Sequence, residues 1–122
     1  MYSKVEKPQI IIFTDLDGTL LDHYSYSFDA AQEALERIKV AQIPLIICSS
    51  KTRAEIEVWR TKLDNKDPFI SENGGAIFFP KDRIVADINT GLERNGYQVI
   101  ELGINYPELL LRFRSLKGLF NE

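Results

Sequence analysis

The sequence has very few residues of the types that form cross-links or bind soft metals. Its 122 residues include one cysteine, Cys48, and one histidine, His23. A single cysteine excludes a disulfide bond within the chain. His23 has no companions of ligand type nearby in the sequence, so we expect a loop residue rather than a metal ligand.

The sequence also has no excess of positive charge and no long apolar run. Its net charge of -3, without a basic run, argues against nucleic acid or an anionic membrane as its main partner. No segment approaches the roughly 20 apolar residues that span a bilayer, and residues 1–8 lack the apolar core of a signal peptide. We therefore expect a cytoplasmic protein. A hydrophobic content of 44% over 122 residues is enough for one domain with a true core.

The most informative stretch begins with the apolar residues 10–13, which are followed by Asp15, Asp17 and Gly18. An unbroken apolar run of this kind predicts a strand that is buried on both faces of a parallel sheet. Carboxylates at the carboxyl end of such a strand lie where open α/β sheets bind their ligands. Gly18 allows the chain to leave the strand in a conformation that a side chain would hinder.

The spacing of Asp15 and Asp17 indicates a particular chemistry. Two carboxylates this close repel each other when both are ionised, so they need a cation, a shared proton, or both. Mg²⁺ is usually held by one or two carboxylates together with phosphate and water. One acid could attack a phosphoryl group while the other transfers protons. The alternative is a surface turn rich in Asp and Gly, but the strand before it and residues 19–22 after it favour the chemical interpretation.

A second strand is expected to lie beside the first. Ser27 is a good N-cap for a helix over residues 28–40, and the apolar residues 43–48 follow as a strand. Strand, helix and strand over this length predict a βαβ unit with two parallel strands. That arrangement brings Ser49 and Ser50 to the same edge of the sheet as the two acids.

The residues after this strand predict the start of a helix. Thr52 and Glu55 have the spacing of a capping box, and Lys51 precedes them. A helix N-terminus with a nearby cation is well suited to a phosphate. Taken alone, however, the stretch indicates only a well-capped helix.

The later part of the chain predicts a hairpin, a strand and a helix. Asn73, Gly74 and Gly75 lie between apolar runs and predict a tight hairpin turn. We expect a short strand at 84–86 that pairs with 76–79, a loop over 89–96 and a half-exposed strand over 97–102. A helix with a broad apolar face is then expected from residue 106 or 107 to 117.

Residues 13–22 resemble the first motif of the haloacid dehalogenase-like phosphohydrolases. The resemblance implies that Asp15 is the nucleophile, that Asp17 is the general acid and base, and that both hold Mg²⁺. The second motif of this superfamily is a Ser or Thr that binds the phosphoryl group; Ser49 fits it best and Ser50 is the second choice. Lys51 is then a candidate contact for the substrate anion.

Residues 72–76 resemble a feature of the sugar-phosphatase branch of the superfamily, in which Glu-Asn-Gly lies at the edge of the active site. This resemblance makes Asn73 and Gly74 candidate substrate contacts. Within the branch, segments 47–55, 72–80 and 99–103 are most similar to the mannosyl-3-phosphoglycerate phosphatase subfamily. The implied substrate is a phosphorylated sugar or sugar-glycerate, hydrolysed with Mg²⁺ through an aspartyl-phosphate intermediate.

The same resemblance implies an α/β fold: a Rossmann-like core with a parallel sheet and a β-hairpin over residues 1–83, and the beginning of an α/β cap domain over 84–122. One alternative is another sugar-phosphate phosphatase of the same branch. A second alternative is a truncated, non-catalytic fragment that binds phosphate or a partner, because the later Lys and acidic cluster of the superfamily have no convincing counterpart after residue 80. Its C-terminal helix would then serve self-association.

Overall fold

The computed structural model describes residues 10–83 and 91–120. Within them the chain forms one six-stranded mixed sheet and three α-helices, so the predicted α/β class is confirmed. The strands are Ile12–Thr14 (β1), Leu45–Cys48 (β2), Phe69–Ser71 (β3), Ala76–Pro80 (β4), Leu92–Arg94 (β5) and Tyr97–Glu101 (β6). The helices are Gln32–Val40 (α1), Arg53–Lys62 (α2) and Tyr106–Leu119 (α3).

The first three strands form the parallel part of the sheet. β1 pairs with β2, and β2 pairs with β3, with Ile12 opposite Leu45 and Ile47 opposite Phe69. Helix α1 connects β1 to β2, which confirms the predicted βαβ unit. A short 3₁₀ turn precedes α1, and the Ser27 hydroxyl accepts the Asp29 N–H of that turn at 3.1 Å.

The remaining strands are antiparallel. The predicted hairpin joins β3 to β4, with Ser71 opposite Ala76. β4 then pairs along its whole length with β6, from Ala76 opposite Glu101 to Pro80 opposite Tyr97. The strand predicted at 84–86 lies outside the described residues, and β4 has β3 and β6 as its two neighbours.

The loop predicted over residues 89–96 is wrong in part, because it contains strand β5. β5 pairs with β6, and Asn95 (φ 51°) and Gly96 (φ 81°) form the turn between them. Two consecutive residues with positive φ are typical of the type I′ turn that Asn-Gly favours. All three residues of β5 are exposed, so the strand lacks the apolar alternation on which the prediction relied.

The prediction that the first strand is buried on both faces is also wrong. Phe13 is 63% exposed and Ile11 is 57% exposed, whereas Ile12 and Thr14 are partly covered. β1 is the outermost strand on its side of the six-stranded sheet. Packing within the described residues therefore covers one of its faces and leaves the other open.

The hydrophobic core lies along the central strands and one face of α2. Its buried members are Leu16, Leu21, Ile47, Ile56, Phe69, Ala76, Phe78 and Val99. The predicted C-terminal helix is confirmed as α3, but it contributes no buried residue; Leu109, Leu111 and Phe113 are all more than half exposed. None of the helices in residues 10–83 and 91–120 is long and apolar enough to cross a membrane.

A cluster of rings surrounds a buried guanidinium where β3 and β6 begin; we call Arg60, Phe69, Phe78 and Tyr97 the far-end cluster. The Phe69 and Phe78 rings stack at 4.8 Å, and the Arg60 guanidinium lies 4.8 Å from the Phe69 ring centroid. Arg60 donates hydrogen bonds to the Tyr97 hydroxyl and to the Asp67 carbonyl, each at 2.9 Å. These contacts hold together the end of the sheet that lies opposite to the carboxyl ends of β1, β2 and β3.

Candidate active site

The two predicted catalytic acids lie on an exposed turn directly after β1. Leu16 and Leu21 are almost completely buried, and the Leu21 N–H donates to the Leu16 carbonyl at 2.8 Å. These two leucines anchor the turn to the protein, because their side chains are part of the hydrophobic core. Asp15 and Asp17, which alternate with Leu16, therefore project to the exposed side.

Gly18 makes the turn after the acids feasible. Its φ is +71°, a conformation that residues with a side chain rarely adopt. A Cβ atom at this position would lie 3.8 Å from Nδ1 of His23. The Asp15 carboxylate accepts the N–H of Leu16 at 2.7 Å. The backbone of the turn is thus held while both acids remain accessible.

The loop after β2 lies at the same edge of the sheet, as predicted. Ser49 is only 2% exposed, and its hydroxyl accepts the Lys51 N–H at 3.2 Å. Its own N–H donates to the Ile70 carbonyl at 3.1 Å. Ser50 is exposed, so it is the more accessible of the two candidate serines.

Lys51 joins this loop to the acidic turn. Its ammonium lies 3.1 Å from a carboxylate oxygen of Asp17, and the two side chains are 21% and 40% exposed. This contact is long-range, so the sequence pattern did not indicate it. The three strand ends that carry the predicted residues form one continuous edge of the sheet. We call it the catalytic edge, after the roles that the sequence predicts for its residues.

The hairpin turn between β3 and β4 completes the catalytic edge. Glu72, Asn73 and Gly74 have consecutive positive φ values of 51°, 56° and 95°. The Glu72 N–H donates to the Lys51 carbonyl at 3.0 Å, and the Asn73 N–H donates to the Ser49 carbonyl at 3.1 Å. The unusual backbone of the turn is therefore bonded directly to the β2 loop.

The N–H groups of this turn are used within the protein. Gly74 and Gly75 both donate to the Ser71 carbonyl, at 3.1 and 3.0 Å. The carbonyl of Gly75 accepts the N–H groups of Leu102 and Gly103, at 2.9 and 3.0 Å. The exposed Asn73 side chain is therefore more accessible to a bound molecule than the backbone N–H groups of residues 72–75, all of which are hydrogen-bonded within the protein.

Two features of the site were missed from the sequence. The Ser71 hydroxyl, just before the turn, is completely buried and has no hydrogen-bond partner among the described residues. A cleft of about 440 Å³ lies beside the acidic turn, lined in part by Gly18, His23 and Ser27. A lone serine and a loop histidine carry no sequence signal for either feature, because both depend on tertiary packing.

Two carboxylates beside the catalytic edge, those of Glu55 and Asp22, have a lowered pKa. The Thr52 N–H and hydroxyl donate to Glu55, which confirms the predicted capping box and lowers the pKa of Glu55. Hydrogen bonds from Ser25 and Tyr24 likewise lower the pKa of Asp22. Both acids thus stabilise the turns that flank the site.

The described residues contain no group of three or more His, Cys, Asp or Glu side chains placed to hold a metal. Asp15 and Asp17 nevertheless fit magnesium, since this ion is commonly bound by only one or two carboxylates plus phosphate and water. The Lys51 ammonium beside Asp17 is consistent with an edge that accommodates a cation. A soft metal fits neither acid.

Comparison with known proteins identifies the family. Residues 12–98 match the family described as haloacid dehalogenase-like hydrolase. The chain is 56% identical over 99 residues to a protein named glucosyl-3-phosphoglycerate/mannosyl-3-phosphoglycerate phosphatase from Methanococcoides burtonii, which covers 81% of this chain and 36% of the relative. It is 41% identical over 110 residues to a mannosyl-3-phosphoglycerate phosphatase from Pyrococcus horikoshii, which covers 90% of this chain and 44% of the relative.

A solved structure agrees at the level of the fold. The structure of a haloacid dehalogenase-like hydrolase from B. subtilis superposes with a TM-score of 0.59 over 91% of this chain and 34% of that one, at 20% identity. The chain spans less than half the length of these two curated relatives. The predicted family resemblance is confirmed.

Proposed function

Because the chain belongs to the haloacid dehalogenase-like hydrolases, we propose that it carries the catalytic acids of a Mg²⁺-dependent phosphomonoesterase acting on mannosyl-3-phosphoglycerate or a similar sugar-glycerate phosphate. The names of two relatives that are 56% and 41% identical support this substrate class. The observation that carries the proposal is the exposed Asp15 and Asp17 pair beside the loop of Ser49 to Lys51, with Lys51 in contact with Asp17.

In the proposed reaction, a carboxylate oxygen of Asp15 attacks phosphorus and forms an aspartyl phosphate, while the bond from phosphorus to the substrate oxygen breaks. Asp17 gives its proton to that departing oxygen. Asp17 then removes a proton from water, which attacks the phosphorus, releases inorganic phosphate and restores Asp15. Magnesium, held by the two acids, would neutralise charge on the phosphoryl oxygens.

The surrounding residues have supporting roles in this proposal. Ser49 was the first choice from the sequence and Ser50 the second, but Ser50 is the more accessible of the two; we therefore assign the Ser50 hydroxyl and the Lys51 ammonium to the phosphoryl oxygens. Buried Ser49 keeps the β2 loop in shape through its bond to the Lys51 N–H. The Asn73 side chain contacts the substrate beyond the phosphate, and Gly74 provides the left-handed backbone that the turn requires.

We further propose that the described chain comprises a core with the sheet and the beginning of a second unit at α3. The domain boundary predicted after residue 83 remains a prediction. The continuous pairing of β4 with β6 favours a boundary beyond Glu101, because the sheet extends that far. Helix α3, which buries no residue, would then belong to the second unit.

The test is phosphate release from mannosyl- and glucosyl-3-phosphoglycerate and from a panel of sugar phosphates, with Mg²⁺ or with EDTA. Asp15→Asn should abolish release, and the matched variant Asp29→Asn, at an exposed acid of the 3₁₀ turn before α1, should retain it. A signal that survives both EDTA and Asp15→Asn would contradict the proposed mechanism. Preference for a phosphate without a glycerate group would contradict the proposed substrate class.

A second candidate function is binding without turnover, and the exposed apolar surface of α3 is the observation that favours it. Leu109, Phe113 and Leu116 are each more than half exposed. Such a surface is typical of an association site. This candidate predicts a folded chain that self-associates through α3 and releases no phosphate from any member of the panel.

A further inference from the structure

The segment that follows the acidic turn is a loop over residues 22–27 that carries three ring side chains, and we call it the aromatic loop. The Asp22 carboxylate accepts the N–H groups of Tyr24 and Ser25, at 3.0 and 2.8 Å, and the Ser25 hydroxyl at 2.9 Å. The Tyr26 N–H donates to the Asp22 carbonyl at 3.0 Å. The shape of the loop is therefore held by hydrogen bonds between its own polar groups.

The rings of the aromatic loop are largely exposed. Tyr24 is 90% exposed and Tyr26 is 51% exposed, and His23 is also exposed. The His23 and Tyr24 rings meet edge to face, with their centroids 5.2 Å apart. Tyr26 has a φ of +54°, which a bulky side chain rarely adopts. The loop thus presents three neighbouring rings to solvent, where they gain little from burial, so packing does not account for them.

The aromatic loop lies beside the proposed reaction centre. Its residues Asp22 and His23 line the cleft of about 440 Å³, together with Gly18 and Thr19 of the acidic turn. A Cβ atom on Gly18 would lie 3.8 Å from Nδ1 of His23, so the imidazole lies close to the turn that follows Asp17. The cleft therefore connects the acidic turn to the aromatic loop. A molecule that reacts at the acids can extend its unreactive part into this cleft.

A sugar-glycerate phosphate has two groups beyond the phosphate that such a loop can recognise. One is the sugar ring, whose apolar face packs against an aromatic ring. The other is the glycerate carboxylate, which accepts a hydrogen bond from an imidazole N–H. Asp22, the one acid of the aromatic loop, already accepts three hydrogen bonds from within the loop. The imidazole of His23 therefore offers a donor to the carboxylate of a bound molecule.

We propose that the aromatic loop determines which leaving group the site accepts: the Tyr24 ring packs against the sugar, and the His23 imidazole donates a hydrogen bond to the glycerate carboxylate. This inference rests on the proposed function, because it places the phosphoryl group at Asp15. Both side chains contact a part of the substrate that does not react. Their loss should therefore weaken the binding of the sugar-glycerate phosphate without changing the binding of phosphate alone.

The experiment follows the His23 imidazole by nuclear magnetic resonance in the 122-residue chain, where His23 is the only histidine and its Hε1 signal needs no further assignment. The probe is the phosphonate analogue of mannosyl-3-phosphoglycerate, in which CH₂ replaces the bridging oxygen so that the molecule is not hydrolysed. In the presence of Mg²⁺, the analogue should shift the His23 signal and the amide signals of Ser50 and Lys51. Inorganic phosphate should shift the two amide signals only.

Substitutions in the aromatic loop measure the contribution of each side chain to affinity. By calorimetric titration, His23→Gln and Tyr24→Ala should each bind the analogue about three to ten times more weakly, as expected for the loss of one hydrogen bond or one ring contact. Tyr24→Phe keeps the ring and should bind within about twofold of the wild type. Tyr106→Ala, the matched control, removes a ring that is 73% exposed at the start of α3 and should leave the affinity unchanged. All four variants should bind inorganic phosphate like the wild type.

Two results would overturn this inference alone. The analogue could shift the Ser50 and Lys51 amide signals while the His23 signal stays unchanged, or Tyr106→Ala could lose as much affinity as Tyr24→Ala. If neither the analogue nor inorganic phosphate shifts the two amide signals, no phosphoryl group binds at the catalytic edge. That result would contradict the proposed function itself, and the role of the aromatic loop would be rejected with it.

Discussion

The charged side chains of the catalytic edge are accessible to solvent, whereas the charged side chain of the far-end cluster is buried. At the catalytic edge, Asp15 and Asp17 are exposed, and the ammonium of Lys51 touches one of them in a partly open setting. At the far end, the Arg60 guanidinium is only 8% exposed, lies over the Phe69 ring and donates to two neutral oxygens. Accessible charge can react. The two terminal nitrogens of the enclosed Arg60 guanidinium are hydrogen-bonded, whereas its Nε has no partner among the described residues, and its bonds contribute to the rigidity of the far end.

This difference suggests that the residues proposed for the reaction lie at one end of the strands, whereas the residues that stabilise the fold lie at the other end. β3 makes this visible within three residues: Phe69 packs into the far-end cluster, and Ser71 leads into the left-handed turn at the catalytic edge. Changes at one end should therefore alter catalysis with little effect on unfolding. Changes at the other end should do the reverse.

The strongest test of this separation is Asp15→Asn. We expect phosphatase activity to fall by a factor of about 10³ or more, as for other lost nucleophiles. The free energy of unfolding should stay within about 0.5 kcal/mol of the wild type, because the side chain is exposed. Phosphate release and urea denaturation measure the two effects, and an unfolding midpoint that falls with the activity would contradict the separation.

At the far end, Phe69→Ala should have the opposite profile. Phe69 is completely buried between the Phe78 and Tyr97 rings, so its loss should lower the free energy of unfolding by about 3–5 kcal/mol. Phe113→Ala, at a ring that is 63% exposed, is the matched control and should cost less than about 0.5 kcal/mol. Urea denaturation checks both, and equal costs would show that the far-end cluster does not dominate stability.

Glycine substitutions at the catalytic edge and in α3 should have smaller effects on stability, and these effects should be opposite in sign. Gly74 has a φ of +95° and open space around it, so Gly74→Ala should cost about 1–2 kcal/mol from backbone strain alone. Gly118, within α3, also has open space but no positive φ; Gly118→Ala should stabilise the helix by up to about 1 kcal/mol. Thermal denaturation of both variants gives the comparison. A loss of stability in Gly118→Ala would contradict it.

High pH should weaken the far-end cluster. Burial raises the pKa of Tyr97 above its usual 10.0, although the nearby Arg60 charge opposes this. The unfolded chain therefore releases this proton at a lower pH than the folded one, so stability is retained below pH 10 and declines as pH rises through the folded pKa. Urea denaturation across this range should show a shallower decline for Tyr97→Phe. Tyr24→Phe, at a ring that is 90% exposed, should not change the slope.

Low pH should weaken the catalytic edge by a smaller amount. The Thr52 N–H lowers the pKa of Glu55 below its usual 4.5, so the stabilisation is present above that pH and is lost as pH falls through the folded pKa. Glu55→Gln should make stability less dependent on pH in this range. Glu36→Gln, on the exposed face of α1, leaves the capping box intact and is the control for removal of a carboxylate.

Much of the fold could be predicted because it depends on local sequence patterns. Apolar runs, the capping residues Thr52 and Glu55, and the turn at Asn73 each depend on neighbouring residues only. The second hairpin was missed although Asn95 and Gly96 are a strong turn signal, because the exposed strand before them has no apolar alternation. The open face of β1 was missed since an apolar run does not specify whether its strand is central or outermost.

The site was predictable as a set of residues but not as an arrangement. The chemistry proposed for Asp15 and Asp17 is suggested by their spacing, and the strand order brings the β2 loop beside them. The contact of Lys51 with Asp17 and the bonds from the hairpin turn to the β2 loop join positions that are more than 20 residues apart. Local periodicity does not encode contacts between such distant positions. The burial of the Ser71 hydroxyl without a hydrogen-bond partner also depends on tertiary packing, so it could not be predicted from the sequence.

The carbonyl of Gly75 has a consequence for hydrogen exchange. It holds the N–H groups of Leu102 and Gly103 at the point where the chain leaves the sheet for α3, and the same turn is bonded to the β2 loop. The amide protons of these two residues should exchange slowly with deuterium while these hydrogen bonds are intact and quickly when they break. Their exchange rates therefore report how stable the link is between the hairpin turn at the catalytic edge and the segment that leads into α3.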